Sequence, residues 1–341
     1  MMKRVNEKVN ILLFSVLAAL FLSACSLRTK QEIPLTDDHK LILYTSHKAG
    51  VYEPIVREFE ERTGIWVQTY SGGTMEMMKK MTDNGSALPC DVMFGGGVES
   101  YEAYKNNFQP YVSTQDAFVR NKNKSPENLW TCFSKLPIVI VYNNKLVNAE
   151  DAPKGWADLM KPEWKGKIAY ADINRSGTSY TAAVTMMQAL GMGQKEYIRS
   201  FMDALNGKVV PESGDVVDQV IAGTRLVGVT IEEDALKRQS SGGKDITIVY
   251  PMEGTSAVED GCAIAKNALH TDNARKFADF IVSRDMQKYL VDSLFRRSVR
   301  TDVAEWHVNF KEIDIDLSQA GANQQQFVAE WNTVQQQVDQ E

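Results

Sequence analysis

Three loop segments of this chain are rich in small hydroxyl residues and glycine, the residue types that commonly hold anions. They are residues 44–48 (YTSHK), 71–74 (SGGT) and 174–179 (NRSGTS). Each follows a predicted strand and precedes a predicted helix, so in an open α/β sheet all three lie on the crevice side. A helix start exposes unpaired N–H groups and partial positive charge. Because Ser and Thr are also ordinary helix N-caps, ligand binding is expected only if the loops converge.

The glycines that end the predicted strand 91–94 and a serine further along the chain add two positions to this set. The small, hydroxyl and imidazole candidates for ligand binding are Ser46, His47, Thr74, Gly97, Ser176, Gly177, Thr178, Ser179 and Ser213. Together they predict a site that holds a small anion through backbone N–H groups and hydroxyls.

The acidic run 232–234 (EED) directly follows the apolar stretch 226–231. Glu232 and Glu233 are candidates for contacting ligand hydroxyls or an amine, or for coordinating a metal ion. The alternative is that these acids complement the dipole of a helix that begins there. A basic group at 296–300 (RRSVR) either faces the crevice or pairs with surface acids.

Catalytic signatures are sparse. The chain has four histidines, and it contains no GxSxG, HExxH, P-loop or GxGxxG pattern. No nucleophile with a recognisable base is present. We therefore expect a protein that is not an enzyme and needs no cofactor. An exported hydrolase remains the alternative from another class.

Composition indicates a soluble folded body with an acidic surface. The formal net charge is −6, with 43% hydrophobic and 24% charged residues. The absence of a basic cluster argues against a nucleic-acid partner. Three cysteines lie in the body, Cys90, Cys132 and Cys262, with no CxxC spacing. Buried free thiols are favoured, and one disulfide is the alternative.

The N-terminus has the pattern of an export signal. Basic residues precede an apolar run from Ile11 to Leu22, which is about a dozen residues, whereas a spanning helix needs roughly 20. The run ends in Leu-Ser-Ala-Cys, which resembles the bacterial lipoprotein cleavage box. We expect residues 1–24 to be a signal peptide, Cys25 to carry lipid, and residues 25–39 to be a tether.

Strands and helices alternate through the rest of the chain. Apolar periodicity predicts strands at 40–44, 65–70, 91–94, 136–142, 167–170, 226–230 and 261–266. It predicts helices at 50–63, 74–81, 179–190, two segments within 273–294, and one helix in the last thirty residues. This alternation is typical of an α/β protein with a largely parallel sheet, and the length favours two α/β lobes.

Four stretches resemble the substrate-binding proteins of bacterial ATP-binding-cassette (ABC) importers, in the branch that binds ferric ion, phosphonates and sugar phosphates. They are residues 43–64 (LYTSHKAGVYEPIVREFEERTG), 91–97 (DVMFGGG), 155–172 (GWADLMKPEWKGKIAYAD) and 176–182 (SGTSYTA). The resemblance implies the type II periplasmic-binding-protein fold, with two lobes, hinge strands between them, and ligand in the cleft. It places lobe 1 at 40–138 plus 254–341, and lobe 2 at 139–253.

The resemblance also bears on the ligand. Where ferric-binding members have a consecutive tyrosine pair, this chain has the acidic run 232–234. Their other acidic ligand falls near 95–97, and their histidine falls on Lys48 or, with a one-residue gap, on His47. The anion-holding Ser-Gly-small segment matches residues 176–178, and an acid replacing the tyrosines resembles members that bind phosphorylated sugars.

Together these features predict an extracytoplasmic, lipid-anchored, monomeric receptor of an ABC importer. It is expected to capture a small anionic solute, a phosphate ester or phosphonate, and to deliver it to the membrane permease. The alternative within the class is a ferric-ion receptor using His47, Glu232 and Glu233. The sequence leaves open the identity of the solute and whether the host has one membrane or two.

Overall fold

The computed structural model describes residues 37–82, 89–338 and 340, which form an α/β structure around a mixed, eight-stranded sheet. The strands are β1 Lys40–Thr45, β2 Trp66–Ser71, β3 Val92–Gly97, β4 Thr131–Asn143, β5 Ile168–Ala169, β6 Val227–Ile231, β7 Ile246–Val249 and β8 Ala257–Ile264. They are arranged in the order β2-β1-β3-β8-β4-β6-β5, and β7 also pairs with β4. The predicted signal peptide and the lipidation site Cys25 lie outside the described residues.

The described residues contain ten α-helices. They are α1 Ala49–Thr63, α2 Thr74–Thr82, α3 Val98–Ala103, α4 Gly177–Leu190, α5 Gln194–Leu205, α6 Ser213–Ile221, α7 Glu232–Ser240, α8 Thr271–Ile281, α9 Arg284–Leu294 and α10 Leu317–Val338. Helix α1 was predicted from the spacing of its apolar residues. Those residues, including Val51, Ile55 and Phe59, are all buried, as an amphipathic helix requires. Gly64 ends it in the left-handed conformation, with φ of 69°. None of these helices combines the length and apolar character needed to cross a membrane.

The prediction of a largely parallel sheet is wrong. Strands β1, β2 and β3 are parallel, as are β5 and β6. Strand β4, however, is antiparallel to β6, β7 and β8, and β8 is antiparallel to β3. Strand periodicity reports burial but not direction, so the two long strands that run against their neighbours were not recognisable in advance.

Strand β4 links two parts of the sheet. Its first half pairs with β8 as far as Pro137, and from Ile138 onward it pairs with β6. The change of partners lies next to the predicted boundary between lobe 1 and lobe 2, at residues 138 and 139. One buried cluster gathers around β1, β3 and α1, and two others around the second half of β4. The lobe boundaries themselves remain a prediction.

The last helix packs as its apolar pattern indicates. In α10, Phe327, Trp331 and Val334 are buried. They belong to the same cluster as Tyr170 and Phe201, and the Trp331 ring lies 5.7 Å from the Tyr170 ring, centroid to centroid. The chain therefore returns to the second part of the sheet after β8, α8 and α9.

The three cysteines of the body, Cys90, Cys132 and Cys262, are buried free thiols. This confirms the favoured interpretation over a disulfide. Burial raises the thiol pKa at all three positions, which keeps them in the unreactive thiol form.

Candidate functional site

A cleft of about 600 Å³ is lined by the first residues of several helices. Helices α1, α2, α4, α6 and α7 all begin at it or next to it. The predicted ligand-binding residues that line it are Ser46, His47, Thr74, Ser176, Gly177, Thr178, Ser213 and Glu233. The three predicted loops therefore converge on one cleft. A groove of similar volume, about 590 Å³, lies along residues 146–167 and contains none of them.

The loops that start α2 and α4 face each other closely. A Cβ atom at Gly73 would lie 3.5 Å from the Arg175 carbonyl oxygen, and one at Gly177 would lie 3.8 Å from the Thr74 hydroxyl. Ser176 caps α4, because its hydroxyl accepts a hydrogen bond from the Ser179 N–H group at 3.2 Å. Two helix starts thus direct N–H groups and hydroxyls at the same space, an arrangement that suits an anion.

The glycines after β3 allow this close approach. Gly95 and Gly96 have φ values of 100° and 89°, which side chains rarely adopt. A Cβ atom at Gly95 would lie 2.7 Å from His47 Nε2, and one at Gly96 would lie 2.5 Å from the Thr74 methyl carbon. The glycines are therefore needed for the positions of His47 and Thr74.

Arg296 forms the charged floor of the cleft. It is 2% exposed, and its Nη2 atom lies 2.8 Å from Glu233 Oε2. Its Nη1 atom donates to Asp260 Oδ2 at 2.5 Å and to the Ser134 hydroxyl at 3.1 Å. Of the two alternatives for the 296–300 group, the structure thus favours the crevice for Arg296. Arg300, by contrast, pairs with Asp302.

His47 lies beside this floor as a neutral imidazole. Its ring contacts the rings of Phe94 and Phe133 edge-on, with centroids 4.8 and 5.8 Å away. Its Nε2 atom is 3.3 Å from Asp260 Oδ2, yet it is buried without a hydrogen bond to any described residue. Burial, followed by the nearby Arg296 charge, holds the pKa of His47 well below its usual range.

The acids at the cleft hold protons more tightly than usual. Burial raises the pKa of Asp260 to about 6, although the Arg296 charge opposes this. Burial and then the neighbouring Glu233 raise the pKa of Asp234 to about 7, and burial also raises the pKa of Glu233. A carboxyl with a raised pKa is partly protonated closer to neutral pH, and a protonated carboxyl can donate a hydrogen bond as well as accept one. Glu233 and Asp234, which line the cleft, can therefore bind hydroxyls in both senses.

Three predicted residues do not line the cleft. Gly97 precedes α3, and a Cβ atom there would overlap the Glu99 carboxylate. Ser179 lies within α4, and its carbonyl oxygen accepts a hydrogen bond from the Tyr170 hydroxyl. The Glu232 carboxylate pairs with Arg297 instead. It accepts hydrogen bonds from Arg297 Nη2 at 2.7 Å and Nε at 2.8 Å, and another from the Tyr250 hydroxyl. Successive residues of a helix point about 100° apart, which separates Glu232 from Glu233.

The proposed metal ligands are not brought together. Glu232 is committed to Arg297, Glu233 to Arg296, and His47 lies among aromatic rings. Within the described residues no three His, Cys, Asp or Glu side chains are grouped so that they could hold a metal ion.

Seven charged residues of the cleft were absent from the predicted set: Lys48, Glu76, Arg175, Glu212, Asp234, Lys237 and Arg296. The position of Lys48 beside His47 and of Asp234 beside Glu233 was a usable signal. Lys237 lies one helical turn after Glu233, so its place on the same face of α7 also followed from the helix period. The basic group 296–300 was a candidate for the crevice, but no feature of the sequence singled out Arg296 within it, since Arg296 reaches the cleft only through the folding of β8 and α9.

Comparison with known proteins agrees with this architecture. The family described as bacterial extracellular solute-binding protein matches residues 88–316. The chain is 23% identical over 309 residues to iron uptake protein A1 of Synechocystis, which covers 84% of each sequence.

Two solved structures share the fold. The periplasmic binding protein AfuA of Actinobacillus pleuropneumoniae, with exogenous fructose-6-phosphate bound, superposes with a TM-score of 0.79 at 22% identity, over 86% of this chain and 98% of that one. The ferric binding protein of Campylobacter jejuni gives 0.77 at 24% identity, over 86% and 99%. The architecture is thus that of the two-lobe, type II periplasmic binding proteins. Members of the matching family bind solutes and are not enzymes, so the exported-hydrolase alternative is wrong. The chain belongs to the family of bacterial extracellular solute-binding proteins.

Proposed function

We propose that this protein is the substrate-binding component of an ABC importer and that its solute is a small phosphate ester or phosphonate. The solute is captured in the cleft and handed to the membrane permease. The observation that carries the proposal is the convergence of the α2 and α4 starts, where Thr74 faces Gly177 across the cleft. A phosphoryl group there meets N–H groups and hydroxyls, which form charge-assisted hydrogen bonds of roughly 1.5–3 kcal/mol each.

The floor of the cleft suits the rest of such a molecule. Glu233 and Asp234 line it as hydrogen-bonding acids, and Arg296 and Lys48 line it as cations. This mixture of donors and acceptors matches sugar hydroxyls better than it matches an apolar group. The volume of about 600 Å³ lies within the usual range for small-molecule sites, about 300–1,000 Å³. The bound sugar phosphate in the AfuA structure supports the same class of solute.

Ferric ion is the second candidate, since several sequence relatives and several solved structures are named for iron or ferric ion. Iron needs three or more well-placed oxygen or nitrogen ligands. Among the described residues the only proposed set, His47, Glu232 and Glu233, is divided between separate partners. The cleft therefore favours the anionic solute.

We further propose that the mature protein is exported and held at the membrane by lipid on Cys25. The support is the Leu-Ser-Ala-Cys sequence that closes the short apolar run. Replacing Cys25 by Ser should release the protein into the soluble fraction. If the Ser variant still partitions with membranes in detergent extraction, lipidation at Cys25 is wrong.

Binding is proposed to close lobe 1 (residues 40–138 and 254–341) over lobe 2 (139–253), except that α10, which packs in the cluster of lobe 2, moves with lobe 2. The support is the change of partners in β4 at Pro137 and Ile138, where one strand passes from its pairing with β8 to its pairing with β6 and so links the two parts of the sheet. Small-angle scattering should give a smaller radius of gyration at saturating solute, and an unchanged radius would count against closure.

Native mass spectrometry tests the class of solute without assuming its identity. Protein purified without refolding should carry a bound species whose mass contains a phosphoryl or phosphonyl group. A bound species that is iron alone, confirmed by metal analysis, would transfer the assignment to the ferric candidate.

A further inference from the structure

Lys48 and Gly214 meet in the cleft although their helices belong to different cores. Lys48 directly precedes α1, whose Val51 packs in the cluster around β1 and β3. Gly214 is the second residue of α6, whose Val216 packs in a separate cluster beside β4. Both residues line the cleft, and a Cβ atom at Gly214 would overlap the Lys48 ammonium nitrogen. The ammonium therefore occupies the space that a side chain at position 214 would fill.

A second lysine makes the reciprocal contact. Lys237 of α7 lies with its ammonium nitrogen 3.7 Å from the Cβ position of Gly50, the second residue of α1. Each lysine thus ends against the first turn of a helix on the other side of the cleft. The first turn carries partial positive charge, so an ammonium group there is unfavourable by itself and becomes favourable when an anion binds next to both the ammonium and the helix start.

We infer that Gly214 is a positioning residue for the solute, because its missing side chain lets the Lys48 ammonium cross the cleft and bind the anionic group. The inference rests on the proposed function, which supplies that anionic group. It adds a specific role for two residues outside the Thr74–Gly177 face. Lys48 makes the contact with the solute, and Gly214 acts only through Lys48.

The test is a double-mutant cycle measured by calorimetry with fructose 6-phosphate. Gly214→Ala should weaken binding about tenfold, the scale of one lost charge-assisted hydrogen bond. Lys48→Met should weaken it by a similar factor. The double variant should bind no more weakly than Lys48→Met alone, because Gly214 has nothing left to position.

The Ala variant is expected to fold, since Gly214 has no positive φ and the displaced atom is the end of a flexible side chain. Thermal unfolding checks this. Gly193→Ala is the matched control: it also starts a helix, has φ of −68° and faces open space, so affinity should stay unchanged.

Two outcomes overturn the inference while the proposed function stands. One is that the Gly214→Ala variant binds as tightly as the wild type. The other is that Gly214→Ala lowers the affinity as much in the Lys48→Met background as it does in the wild type. If the wild-type protein binds neither fructose 6-phosphate nor inorganic phosphate, the proposed function fails and the inference fails with it.

Discussion

The Arg296 guanidinium lies 2.8 Å from the Glu233 carboxylate, and the same guanidinium holds Asp260 at 2.5 Å. One buried cation therefore orients two acids from different elements, α7 and β8. Because Glu233 lines the cleft, this contact fixes the acid that a solute meets. We therefore expect Arg296 to contribute both to stability and to solute binding.

Removing Arg296 should destabilise the protein strongly. Arg296→Met leaves Glu233 and Asp260 buried without their cation, and breaking such a pair costs about 3–5 kcal/mol. Urea unfolding measures the loss. The control is Arg238→Met, which removes an exposed two-contact pair with Asp218 and should cost less than about 1 kcal/mol. Similar losses in both variants would contradict a structural role for Arg296.

Glu232 and Glu233 should differ in function although they are adjacent and of the same residue type. Glu233→Gln should change the relative affinity for two sugar phosphates, because Glu233 lines the cleft. Glu232→Gln should lower thermal stability and leave that ratio unchanged, because its partners are Arg297 and Tyr250. Competition calorimetry with the two sugar phosphates separates these results. A change of preference from Glu232→Gln alone would reverse the assignment.

The start of α4 should be sensitive to both the loss of a donor and added negative charge. Thr178→Val removes a hydroxyl from the cleft lining and should weaken phosphate-ester binding about tenfold. Gly177→Asp should weaken it further, because it places bulk and a like charge where the anion lies. Isothermal calorimetry gives both affinities, with circular dichroism as the check on folding. An unchanged affinity in the Asp variant would remove the anion from this position.

Glu99 should make stability fall as the pH rises. It is 2% exposed, its Oε1 atom accepts from the Thr181 hydroxyl at 2.7 Å, and its pKa is raised to about 7 by burial, against 4.5 ordinarily. Between these two values the folded state binds more protons than the unfolded state, so stability present at pH 4.5 is lost by about pH 7.

Glu99→Gln keeps an acceptor for Thr181 and removes this titration. The variant should therefore gain stability relative to the wild type as the pH rises from 4.5 to 7, by about 3 kcal/mol across that window. Urea unfolding at both pH values gives the difference. If the variant and the wild type differ in free energy of unfolding by the same amount at both pH values, Glu99 is not the cause of the pH dependence.

The sequence predicted elements well where burial has a clear period. Helix α1 and its end at Gly64 followed from apolar spacing and from one glycine. Helix α5 was missed although Tyr197, Ile198 and Phe201 repeat at helical spacing and are buried, so the signal was present. The direction of β4 and β8 carried no comparable local signal, because side-chain alternation is the same in parallel and antiparallel strands.

The site residues likewise fall into those that the sequence identified and those that it could not. The loops around Thr74 and Ser176 were identifiable because helix starts have characteristic residues. The role of Arg296 was not, since its partners Glu233 and Asp260 lie far from it in sequence and meet it only in the folded protein. Likewise Glu232 and Glu233 could not be told apart before the rotation of α7 was known.

Binding of a phosphoryl group in the cleft can be tested by one calorimetric comparison. Wild-type protein freed of retained solute is titrated with fructose 6-phosphate and, separately, with fructose. The phosphate ester should bind at least a hundredfold more tightly than fructose, since two or more charge-assisted hydrogen bonds depend on the phosphoryl group. Equal affinity for the ester and its unphosphorylated parent would contradict it.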